Sequence, residues 1–293
     1  MVMEYFSAQL PSVFKVNEAY IQQEQNQFET LVLGSSQMQS AVNPEWLDSP
    51  TLNLASGDQH HDTDFKLLKG IQGKNLSNLK TIVLEVSYSH FELPHNGPNF
   101  WKHSLYLKYY DINTFERSTY FKDRLLYLAN PRFFSERINE HFIQKQGFTD
   151  FNAFGFNTEN YEGQFKVLGY DEEKIAKVPN FKINTKPNAY IFKTNTALFI
   201  EMLDFLVEKN FKVIIAKLPM YKTYPARRNL DILKRRDSVL ASVLQKYPNT
   251  QLLDLENNTT DFNVNDYWNQ SHLNPDGAKK FTARLNEFLN ASN

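Results

Sequence analysis

Residues 31–38 read Leu-Val-Leu-Gly-Ser-Ser-Gln-Met. Three apolar residues of strand character run into a glycine, two serines and a segment that can begin a helix. Such a strand–turn–helix junction places a side chain at the end of a sheet and directs the first unpaired N–H groups of the helix at whatever binds there. A serine at this point can act as a nucleophile, with amide donors close by for an oxyanion. The alternative is that Ser35 and Ser36 only cap the helix.

The composition excludes several classes of protein. The 293 residues can bury one large core or two modest ones. Because 32 Lys and Arg residues nearly balance 33 Asp and Glu residues, the chain lacks the charge signature of a nucleic-acid-binding protein. It has no cysteine, which excludes disulfides, thiolate metal sites and a cysteine nucleophile.

The sequence as written shows neither a transmembrane run nor a signal peptide. The longest apolar runs, residues 81–86 and 212–218, are too short to span a bilayer, so we expect no transmembrane segment. The first residues lack the basic and apolar regions of a signal peptide. The sequence as written therefore predicts a cytoplasmic protein, or a periplasmic or cell-envelope protein if an anchor precedes it.

The rest of the chain shows a strand–helix rhythm. Short apolar runs predict strands, and stripes of helical spacing between them predict helices. This alternation predicts a three-layer α/β/α fold with a five-stranded parallel, flavodoxin-like doubly wound sheet. Before the first strand we expect an irregular arm and a polar helix over residues 16–28. The predicted strands are residues 30–33, 51–55, 81–86, 212–218 and 251–255.

The rhythm breaks after the third strand. Residues 91–193 are rich in Phe, Tyr, Asn and Pro; within them, 117–128 and 131–144 look helical and 147–187 mostly irregular. No linker composition marks either edge. We therefore interpret residues 91–193 as an insertion or cap subdomain within a single domain, residues 1–293. The core of that domain comprises about residues 30–90 and 194–292.

Candidate site residues converge on one edge of the predicted sheet. Ligand sites of doubly wound sheets lie at the carboxyl ends of the strands, where residues 34–36, 55–57 and 87–90 fall. Residues 266–277, Asp-Tyr-Trp-Asn-Gln-Ser-His-Leu-Asn-Pro-Asp-Gly, precede the last helix and can reach the same edge.

These blocks resemble the SGNH (GDSL-like) hydrolase and acyltransferase superfamily, which has a Gly-Asp-Ser block near its start and an Asp-x-x-His block before its last helix. The first block here is Gly-Ser-Ser at residues 34–36, similar to variants associated with bacterial surface polysaccharides. The last contains His-Leu-Asn-x-x-Gly from His272 onward, the most specific signal in the chain. The resemblance covers about residues 30–90 and 194–292.

The resemblance implies a role for each matching residue. Ser36 takes the position of the nucleophile and His272 that of the general base. The backbone N–H groups of Ser36 and Gly57 would hold the oxyanion.

Two positions depart from the superfamily pattern. Its Gly-x-Asn-Asp block, whose asparagine donates to the oxyanion, is replaced by Ser-Tyr-Ser-His at residues 87–90. Asn269 stands where an aspartate is expected to orient His272. Asp266 could serve instead from one helical turn away. We favour Asn269, because it keeps the three-residue spacing of the motif.

Other residues are weaker candidates. Aromatic, basic and hydroxyl side chains near the predicted strand ends are candidates for substrate binding, although residues 221–228 could equally be a solvated loop. His60, His61, Asp62 and Asp64 could suggest a metal site, but adjacent histidines converge poorly on one ion, and a polar helix start is the better interpretation. The candidate substrate-binding residues are Ser87, His90, Trp101, Tyr221 and Arg227.

The sequence thus predicts a serine-dependent carbohydrate O-acyl esterase or O-acetyltransferase, with acetyl as the favoured group and a bacterial surface glycan as partner. No cofactor is expected, apart from an acyl donor such as acetyl-CoA if the reaction is a transfer. The alternatives are a catalytically eroded glycan-binding protein on the same fold and an interaction scaffold. The oligomeric state is left open.

Overall fold

The computed structural model describes residues 1–24, 27–74, 77–146, 151–178 and 181–291. At its centre, five parallel strands lie in the order β2-β1-β3-β4-β5. Helices cover both faces, so the predicted three-layer α/β/α fold and its flavodoxin-like strand order are confirmed. The strands are β1 (Thr30–Leu33), β2 (Thr51–Asn53), β3 (Thr81–Glu85), β4 (Lys212–Lys217) and β5 (Thr250–Asp254); β6 (Tyr267–Asn269) and β7 (His272–Leu273) form a separate antiparallel pair.

Two α-helices precede β1, and the others lie between or after the strands. They are α1 (Val2–Gln9), α2 (Val13–Glu24), α3 (Ser36–Ala41), α4 (His61–Gln72), α5 (Lys102–Tyr109), α6 (Leu126–Ala129), α7 (Pro131–Ile138), α8 (Gln164–Val167), α9 (Glu172–Ala176), α10 (Ala189–Glu208), α11 (Leu230–Lys246) and α12 (Pro275–Ala291).

The two faces of the sheet bury different sets of side chains. Because successive residues of a strand point to opposite faces, Leu31 and Leu33 pack into one apolar cluster and Val32 into another. The first cluster includes residues of α4 and α10, and the second includes residues of α3 and α12. Burial on both faces explains why the strands read as continuous apolar runs.

The N-terminal residues differ from the prediction. Instead of an irregular arm, they form α1, and the second helix begins at Val13 rather than at residue 16. Leu10, Phe14 and Ile21 are buried in the same cluster as Leu31. The structural reason is that these side chains bury apolar surface on the face of the sheet that carries Leu31.

The segment from residue 91 to residue 193 is more helical than predicted. It contains α5 to α9 and the start of α10, and residues 117–128 form a short 3-10 turn followed by α6 rather than one helix. The prediction of mostly irregular structure over 147–187 is confirmed for the described residues, with the short helices α8 and α9 as exceptions; within that range, residues 147–150 and 179–180 lie outside the described residues. Leu105 and Tyr106 of α5 belong to the apolar cluster that contains Leu31.

In the described part of the chain, no helix is both long and apolar enough to cross a bilayer.

Candidate active site

Ser36 is the first residue of α3 and follows β1 through a tight turn. Ser35 is the N-cap of the helix, and its Oγ accepts from the Gln37 N–H at 3.2 Å. Gly34 has a φ of 147°, a conformation that L side chains rarely adopt. Ser35 therefore caps the helix, and the hydroxyl of Ser36 lies at the carboxyl edge of the sheet without a capping role.

The hydroxyl of Ser36 meets the imidazole of His272. Ser36 Oγ and His272 Nε2 are 2.8 Å apart, although 236 residues separate them in the sequence. His272 begins β7, just before α12. This helix is tied to the end of α3, because Thr282 Oγ1 donates to the Ala41 carbonyl at 3.0 Å. The contact between α3 and α12 thus brings the two side chains together.

The side chain of Asn269 orients His272. Its Oδ1 accepts the backbone N–H groups of Ser271 at 2.9 Å and His272 at 3.1 Å, which identifies this atom as the acceptor end of the amide. His272 Nδ1 lies 3.2 Å from the same oxygen and 3.1 Å from Ser271 Oγ. The proton of the neutral ring is therefore on Nδ1, which leaves the Nε2 lone pair to accept from Ser36. This is the tautomer that a general base requires.

His272 is set up as a neutral base. Burial lowers its pKa to about 4, and the positive charge of Lys182 acts in the same direction. An asparagine partner adds no negative charge that would oppose this shift. The ring therefore stays unprotonated through the neutral and mildly acidic range.

Asp266 lies elsewhere in the structure. Its carboxylate accepts the Asn263 N–H at 2.7 Å and pairs with Lys280 Nζ at 2.7 Å. The residue is buried at the turn before β6 and closes a capping box there. These contacts hold the loop that leads to Asn269, rather than the imidazole.

The buried carboxylate of Glu85 holds the turn at residues 34–36 through hydrogen bonds to Ser35. It accepts from the Ser35 N–H at 2.7 Å and from Ser35 Oγ at 2.9 Å. Burial raises the pKa of Glu85 to about 7, against the lowering effect of these hydrogen bonds. The conformation of the turn next to the nucleophile thus depends on an acid that is neutral over part of the ordinary pH range.

This arrangement predicts a pH-dependent stability. The pKa of Glu85 is about 7 in the folded chain and near 4.5 when unfolded, so between these values the unfolded chain loses the proton first. The free energy of unfolding should therefore fall by about 3 kcal/mol between pH 4.5 and pH 8 through this residue. Glu85→Gln, which resembles the protonated acid, should match the wild type at pH 5 and exceed it at pH 8 in urea unfolding.

The matched control is the exposed Glu287, whose change to Gln should leave the difference between pH 5 and pH 8 as it is in the wild type. An unfolding free energy of Glu85→Gln that falls with pH as steeply as that of the wild type would contradict the assignment.

Gly57 lies close to both Ser36 and the half-buried Lys102. A Cβ at Gly57 would be 3.8 Å from Ser36 Cβ and 3.2 Å from Lys102 Nζ. The Gly57 N–H, which the resemblance assigns to the oxyanion, donates to Gln39 Oε1 at 3.2 Å. Gln39 therefore holds this donor while no substrate is bound.

Lys102 fixes the loop that carries Gly57. Its ammonium donates to the Gly57 carbonyl and, at 3.2 Å, to Ser56 Oγ. Burial lowers the pKa of Lys102 to about 8, although Asp58 acts in the opposite direction. A positive charge in a desolvated position thus lies next to the expected oxyanion.

A cleft of about 610 Å³ opens over Ser36 and His272. Of the candidate substrate-binding residues, Ser87 and His90 line it, and the Ser87 N–H donates to His90 Nδ1 at 3.2 Å. Lys182 is a further lining residue.

The structure does not bring the other three candidates into this cleft. The Trp101 ring packs tilted against that of Phe133, with ring centroids 4.9 Å apart, and lines a separate cavity. Tyr221 packs in the core with its ring 4.8 Å from that of Phe165. Arg227 is exposed on the short 3-10 helix after β4 and is not among the residues that line the cleft.

The histidines at residues 60 and 61 begin α4, as expected for a polar helix start. His60 is the N-cap position, and His61 is buried, stacks on Phe199 at 4.8 Å and contacts the Glu85 carbonyl oxygen at 3.0 Å. Among the described residues, no group of three or more His, Cys, Asp and Glu side chains is arranged to hold a metal ion.

Sequence reasoning missed Gln39, Glu85 and Lys102. Gln39 has a signal, since it lies one helical turn after Ser36. Glu85 is an acid near the end of an otherwise apolar strand, which is a signal as well. Lys102 has no signal in the sequence, because only the packing of α5 brings it to Gly57.

Comparison with known proteins finds similarity to solved structures. The chain matches no protein family model and no curated protein. It is similar to a crystal structure from Bacteroides fragilis NCTC 9343 that is provisionally described as an acylhydrolase. The two share 11% identity over 93% of this chain and 95% of that one, with a TM-score of 0.40.

Proposed function

We propose that this protein is a serine-dependent acyl ester enzyme of the SGNH type, either an esterase or an O-acyltransferase. The observation that supports this best is the 2.8 Å contact between Ser36 Oγ and His272 Nε2. It is strengthened by Asn269, whose amide oxygen sets the tautomer of the imidazole. A nucleophile, a base and a group that orients the base form a complete set for acyl transfer.

The proposed reaction uses these groups in two halves. Ser36 Oγ attacks the ester carbonyl carbon, and its proton passes to His272 Nε2 as the carbonyl electrons move to oxygen. The tetrahedral intermediate then expels the alcohol, which takes the proton from Nε2 and leaves the acyl group on Ser36. Water, or a second hydroxyl in a transfer, repeats the same steps and releases Ser36.

The oxyanion would be held by the N–H groups of Ser36 and Gly57. The substrate oxygen has to displace Gln39 Oε1, which now accepts the Gly57 N–H. The superfamily's third donor, an asparagine side chain, is absent at residues 87–90, where Ser87, Ser89 and His90 line the cleft and are the candidates to replace it. The loss of one donor typically costs about a hundred- to a thousandfold in rate. The charge of Lys102 beside Gly57 is suited to offset part of that loss.

The cleft supports a carbohydrate as the alcohol half of the ester. Its walls present hydroxyl, amide and ammonium groups that can bond to sugar hydroxyls, and Tyr224 and Phe181 add aromatic surface. The Gly-Ser-Ser block resembles that of enzymes of bacterial surface polysaccharides, so an acylated surface glycan is the substrate we propose. Polar lining residues include Gln59, Ser87, Ser89, Gln164, Lys182, Asn184 and Gln270.

A fluorophosphonate probe tests the nucleophile and the base together. We expect a single label on Ser36, located by peptide mass spectrometry. Because the pKa of His272 is about 4, the loss of labelling that its protonation causes should have its midpoint near pH 4, where half of the rings carry a proton and can no longer accept one. Tryptophan fluorescence measured in parallel reports the folded fraction. A folded chain that is unlabelled at every pH would contradict the enzyme and leave the two alternatives, a glycan-binding protein and an interaction scaffold.

Variants that shift the pH at which the labelling rate halves can show which side chain orients His272. Asn269→Asp adds a negative charge next to Nδ1, which favours the imidazolium and raises the pKa of His272. The labelling rate of this variant should halve at a pH at least one unit higher than in the wild type. Asp266→Asn is the matched control, because its carboxylate pairs with Lys280, and its midpoint should not move. The reverse pattern would identify Asp266 as the partner.

A further inference from the structure

A second cavity, separate from the cleft, has Gly57 in its wall. It has a volume of about 310 Å³ and is enclosed by the first two helices, α5 and α7. Its apolar lining residues are Leu10, Pro11, Val13, Phe14, Trp101, Leu105, Tyr109, Phe133, Phe134 and Phe151. Most of this surface offers a ligand no hydrogen bond, which favours an apolar occupant.

This cavity adjoins the nucleophile. Gln39, Ser56 and Gly57 form part of its wall. Gln39 and Phe151 also line a third cavity, of about 300 Å³, which contains Ser36 and His272. Gln39 is thus shared by the wall of the apolar cavity and the wall of the cavity at Ser36.

We propose that the apolar cavity binds the acyl chain of the substrate, a straight chain of about six to ten carbons, and that Gln39 is its gate. This rests on the function proposed above and names its acyl group. At about 30 Å³ per water-sized group, the cavity has room for about ten methylene-sized units. An acetyl group, which the sequence favours, would leave it nearly empty.

The hydrogen bond of Gln39 explains how the gate opens. Its Oε1 accepts the Gly57 N–H at 3.2 Å, where the carbonyl oxygen of a bound ester has to be. A substrate oxygen that takes over this donor releases the amide of Gln39. The same movement clears the route from Ser36 to the apolar cavity.

The charged groups of the cavity are already engaged. The ammonium of Lys102 donates to the Gly57 carbonyl and to Ser56 Oγ, and Arg137 Nε pairs with Glu140 at 3.1 Å. A chain that ended in a carboxylate would have to compete with these partners. The cavity is thus better suited to an unsubstituted alkyl chain.

The test is a series of p-nitrophenyl esters with acetyl, butyryl, hexanoyl and octanoyl groups. Each methylene that leaves water for the cavity should raise kcat/KM about three- to fourfold, and incomplete burial lowers the sum. We expect the octanoyl ester to exceed the acetyl ester by at least about a hundredfold. Inhibition by straight-chain alkylboronic acids, which form an adduct with Ser36, should strengthen along the same series in the unaltered protein.

A variant that fills the cavity separates this site from general hydrophobic binding. Leu10→Trp puts a larger side chain on its wall and should reduce the octanoyl-to-acetyl ratio to below about ten. The control is Val207→Trp on the surface of α10, which should keep the wild-type ratio.

The outcomes distinguish the two proposals. An acetyl ester that is hydrolysed without any gain along the series would overturn the acyl cavity and leave the proposed function standing. A ratio in Leu10→Trp equal to that of Val207→Trp would also overturn the cavity. A protein that turns over no ester and takes no fluorophosphonate label would overturn both.

Discussion

Replacing Ser36 by alanine is expected to lower the hydrolysis of a small aryl ester at least about ten-thousandfold while the chain stays folded. The reason is that Ser36 Oγ is the hydroxyl 2.8 Å from His272 Nε2, and loss of the nucleophile in a serine hydrolase removes nearly all turnover. Initial rates, with the circular dichroism spectrum as a measure of folding, check this prediction.

Ser35→Ala is the matched control. Ser35 Oγ caps α3 and donates to Glu85, so its loss should lower the free energy of unfolding by about 1 kcal/mol and change the rate by less than about tenfold. If Ser35→Ala abolished the activity and Ser36→Ala did not, the assignment of the nucleophile would be off by one residue.

The second large effect is on stability, at Gly34. An added Cβ would lie 2.7 Å from both Cβ and Oε2 of Glu85, and the φ of 147° is strained for any L side chain. Glu85 cannot move aside, because it is buried and bonded to Ser35. We expect Gly34→Ala to lower the free energy of unfolding by about 4 kcal/mol, measured by urea denaturation.

Gly97→Ala provides the comparison for that measurement. No atom lies within 4 Å of where its Cβ would be, and its φ is not in the left-handed region. Its free energy of unfolding should stay within about 0.5 kcal/mol of the wild-type value. Equal stabilities for the two variants would mean that the turn can relax around Gly34 without cost.

The layered fold could be predicted because each strand is buried on both faces and therefore reads as an apolar run. The same rule does not predict α5. Its Leu105 and Tyr106 are buried by tertiary packing, and its sequence shows no apolar stripe of helical spacing. Burial of an aromatic segment against the sheet is a property of the folded chain, and no local periodicity records it.

The site shows the same division. Ser36, Asn269 and His272 lie in short blocks at structural junctions, where a residue type and its spacing are informative. Gln39 and Lys102 act through Gly57, and their contacts exist only once α3, α5 and the loop after β2 have come together. Side chains that act through another residue are thus the part of a site that sequence motifs describe least.

The separation of 236 residues between Ser36 and His272 also has a consequence for synthesis. Ribosomes add about 5 to 20 residues per second, so a growing chain carries Ser36 for roughly ten to fifty seconds before His272 exists. During that time the hydroxyl has no base and is as unreactive as any other serine. A chain that stops short of β7 lacks His272, so under the proposed function its Ser36 would have no general base.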